Sequence, residues 1–120
     1  MTNAVETIFV GIDVSKTTLE VAMDDKAATQ TLGNDEVGRK ALLAQLQKIG
    51  PSIAVVLLEA TGGLEQATAA LLCANGFAIM VVNPRQAHDF AKAMGYLAKT
   101  DSTDAKVLSH FARTLYHGDK

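Results

Sequence analysis

Residues 8–23 read IFVGIDVSKTTLEVAM, and this stretch decides the fold. Ile8 to Asp13 is a short, mostly apolar run. After the break at Val14 to Thr17, Leu19, Val21 and Met23 alternate with Thr18, Glu20 and Ala22. A short apolar run, a break and then a run of period two predict strand, turn, strand, which is an antiparallel hairpin. Thr29 to Leu32, ended by Gly33 and Asn34, is a weaker strand candidate that would extend the antiparallel part as an exposed edge.

Beyond the hairpin the pattern changes to alternating helices and wholly apolar strands. Asn34 as N-cap, Asp35 and Glu36 at the positive end of the dipole, and the Gly50-Pro51 stop predict a helix over 35–49, with Leu42, Leu46 and Ile49 buried. Ile53 to Leu58 is apolar at every position, as suits a strand covered on both faces, and Glu59 ends it abruptly. A helix over 64–74 follows, with Leu64, Ala67, Leu71 and Leu72 inward and Asn75-Gly76 as its end signal. Phe77 to Val82 is the next apolar strand. Strand, helix, strand implies a right-handed crossover between parallel neighbours. Asn83-Pro84 then caps a helix from 84 to about 94, broken near Gly95, and a last helix runs from about 101 to 115. The expected fold class is α/β: a mixed sheet, antiparallel hairpin plus parallel strands, flanked by helices.

The 120 residues, 48% hydrophobic and 20% charged, suit one ordinary globular domain spanning 1–120. No run approaches the length needed to cross a bilayer and no signal segment opens the chain, so the expectation is a cytoplasmic protein without a membrane partner. The one cysteine, Cys73, falls among apolar residues and reads as a small buried one with no chemical role. Met80 and Met94 read as core filler, and His88, His110 and His117 share no ligand geometry. A net charge of −2 argues against a free-standing, strongly basic nucleic-acid module. Its distribution says more. Residues 1–83 hold five Lys/Arg and nine Asp/Glu, net −4, whereas residues 84–120 hold six and four, net +2. Any nucleic-acid surface should therefore lie on the later half.

Four carboxylates carry the candidate chemistry. Asp13 and Glu59 each end an apolar strand, and ligand sites of open α/β sheets collect at the carboxyl ends of their strands. Neighbouring strands lie about 4.8 Å apart, close enough for both side chains to reach one ion. Asp101 and Asp104, three residues apart, share a helix face with Leu108, Phe111 and Leu115, while Ser102, Lys106, Ser109 and Arg113 fall opposite. Capping explains acids in a first turn, but not acids that head the buried stripe. An all-oxygen donor set without His or Cys favours Mg²⁺ or Mn²⁺ over Zn²⁺. Two such ions about 3.5–4 Å apart serve phosphodiester cleavage and strand transfer.

The segments Gly11 to Lys16, Leu58 to Gly63, Asn83 to Arg85 and Lys99 to Ala105 resemble, in content, order and spacing, the signature stretches of the DEDD transposases of bacterial insertion sequences. The resemblance implies a RuvC-like, ribonuclease H-like fold, with Asp13, Glu59, Asp101 and Asp104 as its catalytic, metal-binding tetrad. It implies DNA and a structured guide RNA, the bridge RNA, as partners, and a nucleoid-associated homo-oligomer for the full-length form. It also implies a C-terminal domain bearing a serine nucleophile, which residues 1–120 do not include.

Lys16, Arg85, Lys92, Lys99, Lys106 and Arg113 are the candidate nucleic-acid contacts. Those after residue 84 recur every seven residues and predict two basic faces, Arg85 with Lys92 and Lys106 with Arg113, each opposite the buried side. An exposed lysine or arginine is equally what any solvated face carries. Gly62-Gly63 could cradle a phosphate, or simply form a tight turn beside Glu59. Two other functions compete: an ATP-binding domain of the actin and sugar-kinase type, and a non-catalytic assembly module in which the acids are only caps.

Overall fold

The computed structural model describes residues 7–24, 28–96 and 101–118, with the side chains of 101–103 and 117–118 outside that description. Among the described residues five strands form one sheet: β1 (Ile8–Val14), β2 (Thr18–Ala22), β3 (Gln30–Gly33), β4 (Ile53–Glu59) and β5 (Ile79–Val82), in the order β3-β2-β1-β4-β5. β1, β2 and β3 pair antiparallel, whereas β1, β4 and β5 run parallel. The α-helices of the described residues flank the sheet: α1 (Glu36–Ile49), α2 (Gln66–Ala74), α3 (Pro84–Ala93) and α4 (Asp101–Gly118). None of the described helices is long and apolar enough to cross a membrane.

Strand parity divides the core in two. Val10, Ile12, Val14, Leu19, Val21, Val56 and Leu58 pack with Leu42 and Leu46 of α1 and Leu72 of α2. Phe9, Val55, Leu57 and Val82 pack on the other face with Ala87 of α3 and Leu108 and Ala112 of α4. β1 and β4 are therefore buried on both sides, which is why they read as unbroken apolar runs.

The helix ends are local chemistry. Asn83 accepts from the Gln86 backbone N–H while the Gln86 side chain accepts from the Asn83 N–H, a complete capping box with Pro84 following. At α1 the cap differs from the expected Asn34: Asp35 accepts from the Gly38 N–H at 2.7 Å. Asn34 is a latch instead. Its amide donates to the Ser15 carbonyl at 2.8 Å, its own carbonyl oxygen accepts from Arg39, and its backbone N–H reaches the Thr17 carbonyl. The start of α1 is thereby tied to the β1–β2 turn. Gly38 sits so close that a Cβ there would meet the Gly33 carbonyl oxygen at 1.8 Å.

Several expectations about facing are corrected. On α2 the buried residues are Thr68 and Leu72, with Glu65 just before the helix, while Leu64, Ala67 and Cys73 are exposed. With Glu65 clamped to the Thr61 backbone, the apolar stripe is rotated by about one position along the helix. Met94 is 49% exposed, because α3 ends before it. On α4 Ser109 is fully buried rather than solvated, since its hydroxyl donates to the Phe9 carbonyl at 2.5 Å.

Candidate active site

The carboxyl edge of the sheet carries two of the four expected acids, and the helix that covers this face carries a third. Register pairs Ile12 with Leu58 in parallel strands, so Asp13 and Glu59 follow side by side at the ends of β1 and β4. Alternation puts both on the face that holds Phe9, Val55 and Leu57, the face covered by α3 and α4. Both are half-buried.

α4 brings Asp104 to the same edge. Its later residues lie over the start of β1: Tyr116 meets the Phe9 ring edge-on at 5.3 Å, Arg113 stands 5.8 Å from that ring's centre, and Ser109 bonds the Phe9 carbonyl. Its earlier residues lie over Gly11, where a Cβ would meet the Ala105 carbonyl oxygen and the Ser109 amide nitrogen at 2.3 Å each. α4 therefore runs opposite to β1, and half-buried Asp104, one residue before Ala105, heads toward Asp13. The helix rests directly on the strand because Gly11 has no side chain. The Asp101 and Lys99 side chains lie outside the described residues, although Asp101 opens α4 one turn before Asp104.

Among the described residues, no three His, Cys, Asp or Glu side chains already stand as a metal cage. The donor set is nevertheless all carboxylate, gathered from two strand ends and a helix head on one face, which fits a hard divalent cation. Another acid that the sequence reading passed over shares this sheet face. Glu20 is paired directly opposite Asp13, is 8% exposed, and accepts from the hydroxyls of Thr29 and Thr31. Its signal was its place in the alternation of β2, but only the position of α4 reveals that this face is covered.

The loop after Glu59 resolves the choice between cradle and turn. The anion at the Thr61 N–H is the chain's own Glu65, whose Oε1 accepts at 2.9 Å, and the Thr61 hydroxyl donates to the Glu59 carbonyl at 2.9 Å. Gly62 and Gly63 make the turn with φ of 59° and 93°, which L side chains rarely adopt. Backbone N–H groups, that of Thr61 foremost, then those of Glu65 itself and Gly63, hold the Glu65 carboxyl below its ordinary value of 4.5 against the opposing pull of burial. A folded-state pKa below the unfolded one gives stability that is full above pH 4.5 and is lost as pH falls through the lower folded value. Glu65→Ala is expected to cost about 1 kcal/mol at neutral pH. Its melting temperature should also fall less steeply on acidification below pH 4.5 than that of the parent, as thermal scans across pH will show.

The basic candidates separate. Lys16 is exposed in the turn that follows Asp13, and Arg85 is exposed in the first turn of α3, just past β5, whose Val82 pairs with Glu59. Both lie at the acidic edge, on either side of it. Lys92 is exposed near the far end of α3. Lys106 and Arg113 do not form the expected solvent-facing pair: both are half-buried, and Arg113 covers Phe9 at the opposite end of β1. His110 is likewise no bystander. It is half-buried, shares a hydrogen bond of 3.0 Å with the Tyr96 hydroxyl, and meets the Phe90 ring edge-on at 5.1 Å.

A five-stranded mixed sheet in this order, with acids at the ends of two neighbouring parallel strands and near the start of the covering helix, has the architecture of a ribonuclease H-like α/β domain. Residues 10–119 match the family model described as transposase, of the IS110-type DEDD class, and the chain belongs to that family. It is similar to two proteins named pilin gene-inverting protein, from Moraxella lacunata and Moraxella bovis. Each is 28% identical over 107 residues that cover 86% of this chain and 33% of the relative. The chain thus spans about a third of the length of these relatives.

Proposed function

We propose that this chain supplies the catalytic face of a DNA transposase that cleaves and transfers strands in a divalent-metal-dependent reaction. What supports the reading is that Asp13 and Glu59 stand at the ends of neighbouring parallel strands, on the face covered by α4, the helix that carries Asp104. Asp13, Glu59, Asp101 and Asp104 would hold Mg²⁺ or Mn²⁺, in one or two ions. When bound, the metal supplies Lewis acidity at a phosphodiester oxygen and a more acidic attacking hydroxyl. The protein's part is positioning. β1 and β4 fix two carboxylates through the sheet, and Gly11 lets α4, which carries Asp104, rest on β1. A crystal soaked in Mn²⁺ tests this: anomalous density among these carboxylates is the expected result, and density confined to other residues would refute it.

DNA is the proposed substrate, with the guide RNA and a homo-oligomeric full-length protein as further parts of the reading. Inversion of a gene, which the name of the Moraxella proteins states of them, and transposition both exchange strands between DNA segments. Lys16 and Arg85, exposed on either side of the acidic edge, are placed to hold the phosphates. Replacing both with Gln should lower the slope of log affinity against log salt by about 2, one for each lost phosphate contact. Titrating a DNA duplex across a salt series measures it, and an unchanged slope would leave these two residues as ordinary solvated cations.

A further inference from the structure

Glu20 makes no chemical sense as a packing residue. Directly opposed residues of an antiparallel pair project from the same face, so Glu20 shares the α4 side of the sheet with Asp13. It is 8% exposed, and among the described residues no lysine or arginine pairs with it. A buried carboxylate costs desolvation, and a second carboxylate directly across the ladder adds repulsion. Threonine or valine would fill such a strand position without either cost.

The carboxylate is also pinned. Thr29 donates its hydroxyl to Oε2, and Thr31, the residue paired with Glu20 on β3, donates to Oε1. Both oxygens are held from the β3 side, which turns the group away from the place of a ligand beside Asp13. What remains is a stationary negative charge one strand away from Asp13.

We infer that Glu20 is a positioning residue of the acidic site: a fixed charge, held by Thr29 and Thr31, that raises the affinity of the neighbouring carboxylates for a divalent cation without ligating it. The inference rests on the metal-dependent reading above. The electrostatic field of a unit charge at neighbouring-strand distance is large enough to matter even under partial screening. Its removal should weaken Mn²⁺ binding by roughly tenfold.

The test is a Mn²⁺ titration of the chain followed by electron paramagnetic resonance of the free ion, with thermal unfolding in EDTA alongside. Glu20→Gln should show the tenfold loss while melting at the same temperature or higher, since the amide keeps an acceptor for one threonine hydroxyl and offers a donor to the other. Should that variant melt lower, Glu20→Asp decides: it keeps the charge, so a Mn²⁺ affinity within about threefold of the parent supports the inference and a tenfold loss overturns it. Unchanged Mn²⁺ affinity in Glu20→Gln, with binding lost in Asp13→Asn, overturns the role of Glu20 and leaves the metal reading standing. Absence of saturable Mn²⁺ binding by the parent chain overturns both.

Discussion

Gly11→Ala is expected to lower the melting temperature by roughly 10 °C and recombination by the full-length protein by at least about a hundredfold. The added Cβ would stand 2.3 Å from the Ala105 carbonyl oxygen and from the Ser109 amide nitrogen, and 2.8 Å from the Leu108 carbonyl carbon. All three are backbone atoms, so no rotamer change relieves the clash. α4 must lift from β1 by roughly 1 Å, at an overpacking cost of up to about 3 kcal/mol. The lift would also stretch the hydrogen bond from Ser109 to the Phe9 carbonyl. It would carry Asp104 away from Asp13 and Glu59, and at the proposed metal site a misplacement of that size costs about two orders of magnitude in rate. Thermal unfolding and a recombination assay measure the two effects separately. Wild-type values in both would show that α4 does not need its contact with Gly11.

The same glycine shows where sequence reasoning reached and where it stopped. Gly11 belonged to a recognisable motif, yet nothing in the string of residues says that a helix begun ninety positions later will rest on it. What was legible was local or periodic. The apolar runs of β1 and β4, the hairpin at Lys16 and Thr17, the Gly50-Pro51 stop and the Asn83-Pro84 cap all depend on residues within a few positions of one another. The strand-end placement of Asp13 and Glu59 followed from those runs. The missed features depend on distant partners. A helical wheel counts Ser109 as polar and places it outside, whereas the Phe9 carbonyl makes it a core residue. The wheel likewise leaves Arg113 in solvent, whereas the Phe9 ring offers it an aromatic face. On α2 the Glu65 clamp overrides the apolar stripe, so Leu64 is 38% exposed while Thr68 is buried with no hydrogen-bond partner for its hydroxyl among the described residues. Polarity is a property of one residue, but satisfaction of a polar group is a property of a pair.

That distinction bears on the acids themselves, and it makes their neutralisation the largest functional effect to expect. Asp13→Asn or Asp104→Asn should abolish recombination by the full-length protein, a loss of at least about a thousandfold, while leaving the chain as stable as the parent or slightly more so. The two halves of the prediction come from one cause. Asp13 faces Glu20 across the antiparallel ladder, Glu59 lies just past the last pair of the parallel one, and Asp104 stands near the start of α4 on the same face. Without a cation such a group of like charges repels, so removing one charge relieves strain in the folded state. Asparagine keeps the shape of the side chain and its ability to hydrogen-bond, so packing against α4 is unchanged. It supplies only a neutral oxygen, too weak a donor to replace a carboxylate toward a hard divalent ion. A residue present for stability would behave the opposite way, melting lower when neutralised and leaving activity in proportion to the folded fraction. Thermal unfolding in EDTA and recombination in Mg²⁺, measured on the same variants, tell these apart. Recombination retained in either variant would remove that residue from the reaction, and a lower melting temperature in EDTA would show that its carboxylate belongs to the fold.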